Sequence, residues 1–321
     1  AFVGLSLNKL SIGTGTAAAV LVVSAQGLFA LTDSFAPIVA DDMSIWQFQA
    51  TRAALMLPVA LAVAVMFGSW QRILPKRPGP VALRTVLNVL ALGAYFAVLP
   101  VLPFGQAAAG FFTTPIWVVI YLSLTGGSAP DRRMWATVAL GFGGAALVVG
   151  IGGEIEPLAL VPVVAGGVNA VSILITNRHC RDEDACALLF WSIAGFLALG
   201  LAGLAVAVIV GAGAVTGEAG EVLFMQPTSM GMEMLLLSAA LGLSSIIGAG
   251  LLMRGYQIGK NASVALFDYS YLIWAAVVST ILWGQAPTLT GLAGLALILL
   301  AGVVAIAPRR STVAEDVAAV S

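Results

Sequence analysis

Apolar residues fall in long runs along this chain, and polar residues collect in the short joints between them. Cut at charges, Pro and Gly, the runs predict ten helices, near residues 13–35, 46–69, 82–100, 103–125, 132–150, 157–177, 185–210, 231–253, 260–283 and 287–307. Most approach or exceed the ~20 residues that cross a hydrocarbon core. Leu, Ala, Val and Gly dominate, and no run alternates apolar with polar residues as a barrel strand does. A segment inside a bilayer must satisfy its own backbone polar groups, so the runs read as helices.

Composition sharpens this picture. The 321 residues are 60% hydrophobic and 9% charged, with mean hydropathy +1.04. Soluble domains carry roughly 25% charged residues, so so few charges fit a bilayer and not a water-facing surface. Many spans, not one, exclude reading the pattern as a single cleaved secretory segment. The net charge of −1 points to no nucleic-acid partner. Two cysteines, Cys180 and Cys186, cannot make a disulfide framework.

The distribution of charge says more than its sum. Lys9 precedes the first run, and the next joint holds Asp41 and Asp42 without a base. Arg72, Lys76, Arg77 and Arg84 follow, then a neutral joint at 101–102, then Arg132 and Arg133. Glu154 and Glu156 come next without a base, then Arg178 and Arg181, then Glu218 and Glu221 without one. Arg254 and Lys260, a neutral joint at 284–286, and Arg309 with Arg310 complete the series. Thirteen of the 14 Lys and Arg thus fall in alternate segments, the exception being Arg52. The positive-inside rule then puts both termini and the basic loops in the cytoplasm.

Part of the chain repeats. Trp117, Gly127, Ala129 and Pro130 meet Trp274, Gly284, Ala286 and Pro287 at a constant offset of 157 residues. With a three-residue gap upstream, Gly105 meets Gly259. The shared stretch joins the fourth to the fifth run and the ninth to the tenth, so the unit is five helices. Five is odd, so the second unit enters the membrane from the opposite side, an inverted repeat. The expected organisation is an N-terminal segment 1–12, repeat 1 over 13–150, repeat 2 over 157–307 and a cytoplasmic tail over 308–321. The fold class is an all-α membrane protein.

Ten helices as five plus five, the Gly-containing turns after the fourth and ninth, the Gly-rich last helix GLAGLALILLAGVVAI and the single Arg of WQFQATRAALMLP together carry a resemblance. The chain resembles the EamA family of the drug/metabolite transporter superfamily, most closely its YddG-type exporters. Where that family often places Glu after the fourth and ninth helices, this chain has Ser128 and Gln285. The resemblance implies export of aromatic or other neutral amino acids across a bacterial inner membrane.

Polar residues deep in apolar spans are costly, and so mark candidate sites. Gln26 and Asn169 lie mid-way along helices 1 and 6, which correspond in the repeat. An amide can hold a carboxylate or an ammonium without titrating; the bland alternative is a helix–helix hydrogen bond. Asp268, Tyr271 and Trp274 share one face of helix 9 at spacings of three, an acid beside aromatics suited to an amino group or a coupling proton. In helix 4, Thr113 and Trp117 are candidate contacts, and Pro115 is a candidate hinge because it frees a backbone carbonyl. Tyr95 and Ser244 complete the candidate substrate contacts. Arg52 is the lone base inside a span, and Asp33 ends helix 1 at a similar level. A salt bridge between them, serving as an outer gate, is expected; a substrate carboxylate on Arg52 is the alternative.

Other signals lead nowhere. HCRDEDAC, at 179–186, has no zinc spacing, and no metal or cofactor is expected. No P-loop, H-E-x-x-H or G-x-S-x-G occurs, and one His offers little acid–base machinery, so no enzyme is expected. Phosphate needs several bases, which disfavours phosphorylated cargo. The sequence reads as an inner-membrane secondary transporter exporting small neutral or zwitterionic metabolites by alternating access, amino acids first. Other metabolite classes, or a non-transporting scaffold, are the alternatives. The partners are a small-molecule substrate and the lipid bilayer; the sequence sets no oligomeric state.

Overall fold

The computed structural model describes residues 14–66, 68–125, 132–149, 157–211, 218–258 and 267–306. Its regular elements are all helical among the described residues. The expected N-terminal segment and tail lie outside them, as does the first copy of the repeated turn, Gly127, Ala129 and Pro130.

The helices in chain order are α1 (Thr14–Ser34), α2 (Ala36–Asp42), α3 (Ile45–Met66), α4 (Pro78–Val98), α5 (Phe104–Phe111), α6 (Thr114–Thr125), α7 (Arg132–Val149), α8 (Leu160–His179), α9 (Ala185–Val210), α10 (Glu218–Leu223), α11 (Met232–Ile258), α12 (Ser270–Trp283) and α13 (Leu289–Ile306). Among the described residues, six segments are long and apolar enough to cross a membrane: Thr16–Ser34, Ile45–Met66, Pro78–Val98, Pro157–Thr176, Ala185–Val210 and Met232–Leu252. Phe267–Trp283 and Leu289–Ala301 are apolar but shorter. Only 11% of the most apolar window of α9 is buried inside the fold. Outward-facing apolar surface on that scale is stable in lipid and not in water, so this is a multi-pass membrane protein.

Local chemistry sets several boundaries. Asp184 caps α9, its carboxylate accepting the Cys186 N–H, and Gly211 ends that helix at φ +84°. Gly284 ends α12 in the left-handed region at φ +65°, which explains one glycine of the repeated turn. The run expected as one helix over 103–125 is two, parted at Phe112 and Thr113. Pro115 has no N–H for the Phe111 carbonyl, and the Thr114 hydroxyl donates to that carbonyl instead, at 2.7 Å. Pro115 therefore sits in the first turn of α6, where proline is tolerated, and is not the mid-helix kink expected of it. Asp268 falls in a 3-10 turn, residues 267–269, that leads into α12; the residues of the expected helix that precede it lie outside the described ones.

The helices pack in pairs. α7 lies on α13, α3 on α9, α1 on α11 and α12, and α8 on α4, α5 and α6. α4 also touches α9, and α3 touches α11. Small residues set the closest approaches. A Cβ at Gly144 would lie 2.6 Å from the Gly294 carbonyl oxygen, and one at Gly200 would lie 2.6 Å from the Ala50 nitrogen. The GFGG and GLAG stretches thus meet backbone to backbone.

Two polar clamps tie the ends together. At one end Arg72 holds Asp184 with two hydrogen bonds of 2.7 and 3.1 Å. There the Glu183 carboxylate also accepts the Lys76 and Arg77 backbone N–H groups. At the other end the Gln47 amide exchanges two bonds with the Thr228 backbone, and the Trp46 indole donates to the Leu223 carbonyl. Burial works against ionisation of Asp184, but the bonds from Arg72 and the Cys186 N–H outweigh it and hold the carboxyl below its usual range.

Candidate functional site

The interior of the bundle holds a connected set of polar and aromatic side chains near the end of α1. Tyr271, on α12, is 3% exposed and donates its hydroxyl proton to Asp33 Oδ2 at 2.6 Å. Its single proton spent, the Tyr271 oxygen accepts from Tyr95 on α4, 2.8 Å away and 2% exposed. Aromatic rings surround this chain. Phe112, from the break between α5 and α6, stacks on Tyr271 with centroids 4.5 Å apart, and Phe104 meets it edge-on at 6.3 Å. Phe111 packs on Tyr95 at 4.9 Å. The helix break thus delivers two consecutive phenylalanines to the two tyrosines.

The expected Asp33–Arg52 salt bridge is not formed: neither an ion pair nor a hydrogen bond joins them among the described residues. Tyr271 occupies one Asp33 oxygen. The Arg52 guanidinium lies over the rings of Phe48 and Phe96, at 5.1 and 5.3 Å from their centroids. Two cation–π contacts hold it there, close enough for its charge and that of Asp33 to interact.

The two amides serve different pairs of helices. Gln26 Nε2 donates to Asp268 Oδ1 at 2.8 Å, joining α1 to the turn before α12. Asn169 Oδ1 accepts from Asn88 Nδ2 at 3.1 Å, joining α8 to α4. Both form helix–helix bonds, the bland alternative for such residues.

The other candidates scatter. Thr113 is fully buried and spends its hydroxyl on the Gly110 carbonyl, stabilising the break. Ser244 accepts from Thr32 at 3.2 Å, a link between α11 and α1. Trp117 lies against Gly167, where a Cβ would be 3.3 Å from its ring, and its buried indole nitrogen has no partner among the described residues. Trp274 lies likewise against Gly27, with a would-be Cβ at 3.1 Å, but is 38% exposed and donates to the Val23 carbonyl. It therefore does not extend the buried stripe of Tyr271. Of the predicted set, then, Asp33, Tyr95 and Tyr271 form one cluster with Arg52 at its edge, and Gln26 with Asp268 forms a second.

Sequence reading missed Gln49. It is 1% exposed, and among the described residues neither its amide oxygen nor its nitrogen has a partner. Its spacing of three from Arg52 in WQFQATR was the available signal. A cavity of about 220 Å³, lined among others by Pro100, Leu102, Phe104, Trp283 and Gln285, opens beside the cluster. Phe104 walls it off from Tyr271.

No family model matches the chain. It is 28% identical over 221 residues to a riboflavin transporter of Rhizobium johnstonii, over 67% of this chain and 66% of that protein. The match thus spans about two thirds of the relative. One solved crystal structure superposes with a TM-score of 0.59 at 15% identity, covering 88% of this chain and 94% of that one. That likeness is one of fold.

Proposed function

We propose that the chain is a ten-span secondary transporter of two inverted five-helix repeats, moving small metabolites with flat or apolar bodies outward across an inner membrane. The observation that carries this is the buried Asp33–Tyr271–Tyr95 chain walled by Phe104, Phe111 and Phe112. Polar groups with aromatic walls deep in an apolar bundle suit a solute that is itself apolar with a few polar groups.

Helix pairing supports the repeat. Exchange the first five predicted spans for the last five and the neighbours map onto one another. The α1 contacts with α11 and α12 become those of α8 with α4 and α6, and the α3–α9 and α7–α13 pairs return to themselves. The two tryptophan–glycine contacts exchange as well, Trp274 on Gly27 for Trp117 on Gly167. By that register Gln26 answers to Gly166, and Asn169 lies one turn off. The helix break at 112–113 and the 3-10 turn at 267–269 also fall at matching places, near the expected midplane. The alternating basic loops support cytoplasmic termini.

Two solute classes follow from two sources. Amino acids are what the family resemblance implies. The relative named for riboflavin supports a flat heteroaromatic solute, which the ring-on-ring stacking of Phe112 and Tyr271 would suit. Purified protein in liposomes, loaded with a panel of amino acids and riboflavin, tests the reading. Efflux of at least one solute above empty liposomes, reduced in Tyr271→Ala, is expected. Absence of flux for the whole panel would overturn it.

A further inference from the structure

Arg52 carries a full charge into an apolar span, and among the described residues it has no hydrogen bond or ion pair. Cation–π contacts use the faces of its planar group and leave the N–H edge unspent. Gln49 lies on the same face of α3, one turn earlier, with both amide atoms buried and unpartnered. An unsatisfied buried amide is costly, and a packing role would be served better by Leu. A third such group stands on the neighbouring helix: the Ser238 hydroxyl is buried at 1% exposure and has no partner among the described residues. α3 and α11 start at the same end, since Gln47 bonds Thr228, and Met56 packs where a Cβ on Gly242 would be. One turn back along each helix puts Ser238 level with Arg52.

We propose that Arg52, Gln49 and Ser238 form an anion subsite that receives a planar carboxylate of the transported solute. The subsite rests on the transporter reading and specifies one end of its cargo. A guanidinium edge pairs with a carboxylate through two parallel N–H bonds, and the Gln49 NH₂ and Ser238 hydroxyl are further donors. One base matches a monoanion; a phosphate would need more. Asp33, with one oxygen already bonded to Tyr271, also interacts with the Arg52 charge, so a bound carboxylate would compete with it for the guanidinium.

The test measures binding to purified protein and efflux from liposomes for four probes: indole-3-propionate, L-tryptophan, tryptamine and riboflavin. Both carboxylates should bind at least tenfold more tightly than tryptamine. Gln49→Leu should weaken indole-3-propionate about tenfold without lowering the melting temperature, because it removes an unpartnered amide. Arg52→Gln should abolish the preference, and Arg52→Lys, which keeps charge but not the fork, should restore only part. If Arg52→Gln fails to fold, Gln49→Leu decides alone. Riboflavin or tryptamine carried as well as the carboxylates, with Gln49→Leu unchanged, would overturn the subsite and leave the transporter reading standing. No flux of any probe or panel solute would overturn both.

Discussion

Two adjacent glycines offer a controlled test of the packing. Gly144 of α7 faces α13, where an added methyl would lie 2.6 Å from the Gly294 carbonyl oxygen and 2.9 Å from the Ile298 nitrogen. Both are backbone atoms, so no side chain can swing away. Carbon and a second heavy atom sit comfortably at about 3.5 Å, so the helices would have to part by on the order of 0.5–1 Å. Overpacking of that kind costs ~1–3 kcal/mol. Gly143 is one residue earlier, and a methyl there meets nothing within 4 Å. Alanine at that position gains ~0.5–1 kcal/mol from backbone entropy. Alanine at 144 gains the same backbone entropy, so Gly144→Ala should be less stable than Gly143→Ala by the overpacking cost alone, about 1–3 kcal/mol, and should not exceed wild type. Thermal unfolding of the purified proteins in one detergent, followed by tryptophan fluorescence, would order the three. Equal melting points for the two variants, or Gly144→Ala above wild type, would refute the backbone contact between α7 and α13.

Tyr271→Phe strips Asp33 and Tyr95 of their shared partner and should cost ~1–3 kcal/mol, whereas Tyr95→Phe removes one terminal donor and should cost about 1; melting temperatures in the reverse order would contradict the direction of the chain. Asp268→Asn keeps a carbonyl acceptor for Gln26, so stability should move by less than about 1 kcal/mol, while any pH dependence of efflux carried by that acid should vanish. Asp184→Ala loses a helix cap and a partly exposed ion pair, together ~1–2 kcal/mol. Because the folded Asp184 carboxyl is held below its usual range, that contribution is complete above the unfolded value of ~3.9 and fades as pH falls through the lower folded value. The melting difference between wild type and Asp184→Ala should thus stay flat from about pH 8 to 5 and shrink only in stronger acid.

Features set by neighbours in sequence were legible, and those set by neighbours in space were not. Long apolar runs announced the helices, because they depend on local composition. The break at 112–113 was half legible. Pro115 marked the missing donor, but only the geometry reveals that Thr114 fills in for it and that the chain parts before the proline. Gln26 and Asp268 stand 242 residues apart, and Asp33 and Tyr271 stand 238 apart. Nothing in the run of residues says which amide meets which acid. Asp33 and Arg52 looked like a pair because they were the lone charges at one depth. A tyrosine from α12 reached the acid, and two phenylalanines cradled the base.

The bonding pattern constrains how such a bundle can move. Tyr271 with Asp33, Gln26 with Asp268, Thr32 with Ser244 and Trp283 with Ser34 each join residues of 13–150 to residues of 157–307. So do Asn88 with Asn169 and Ser172 with Arg84. Rocking one sequence half against the other would break all of these at once, at about 1 kcal/mol each. A division that cuts across these two sequence halves costs far less. α1, α11 and α12 bond among themselves, and so do α4 and α8, with α5 and α6 packed on α8. Between these two groups the described hydrogen bond runs from Tyr95 to Tyr271, reinforced by the Phe112 stack. The pair α3 and α9, packed backbone to backbone at Gly200, borders both groups. Motion that keeps each group whole would therefore hinge along α3 and α9 and open at the two tyrosines, beside Arg52 and the cavity behind Phe104.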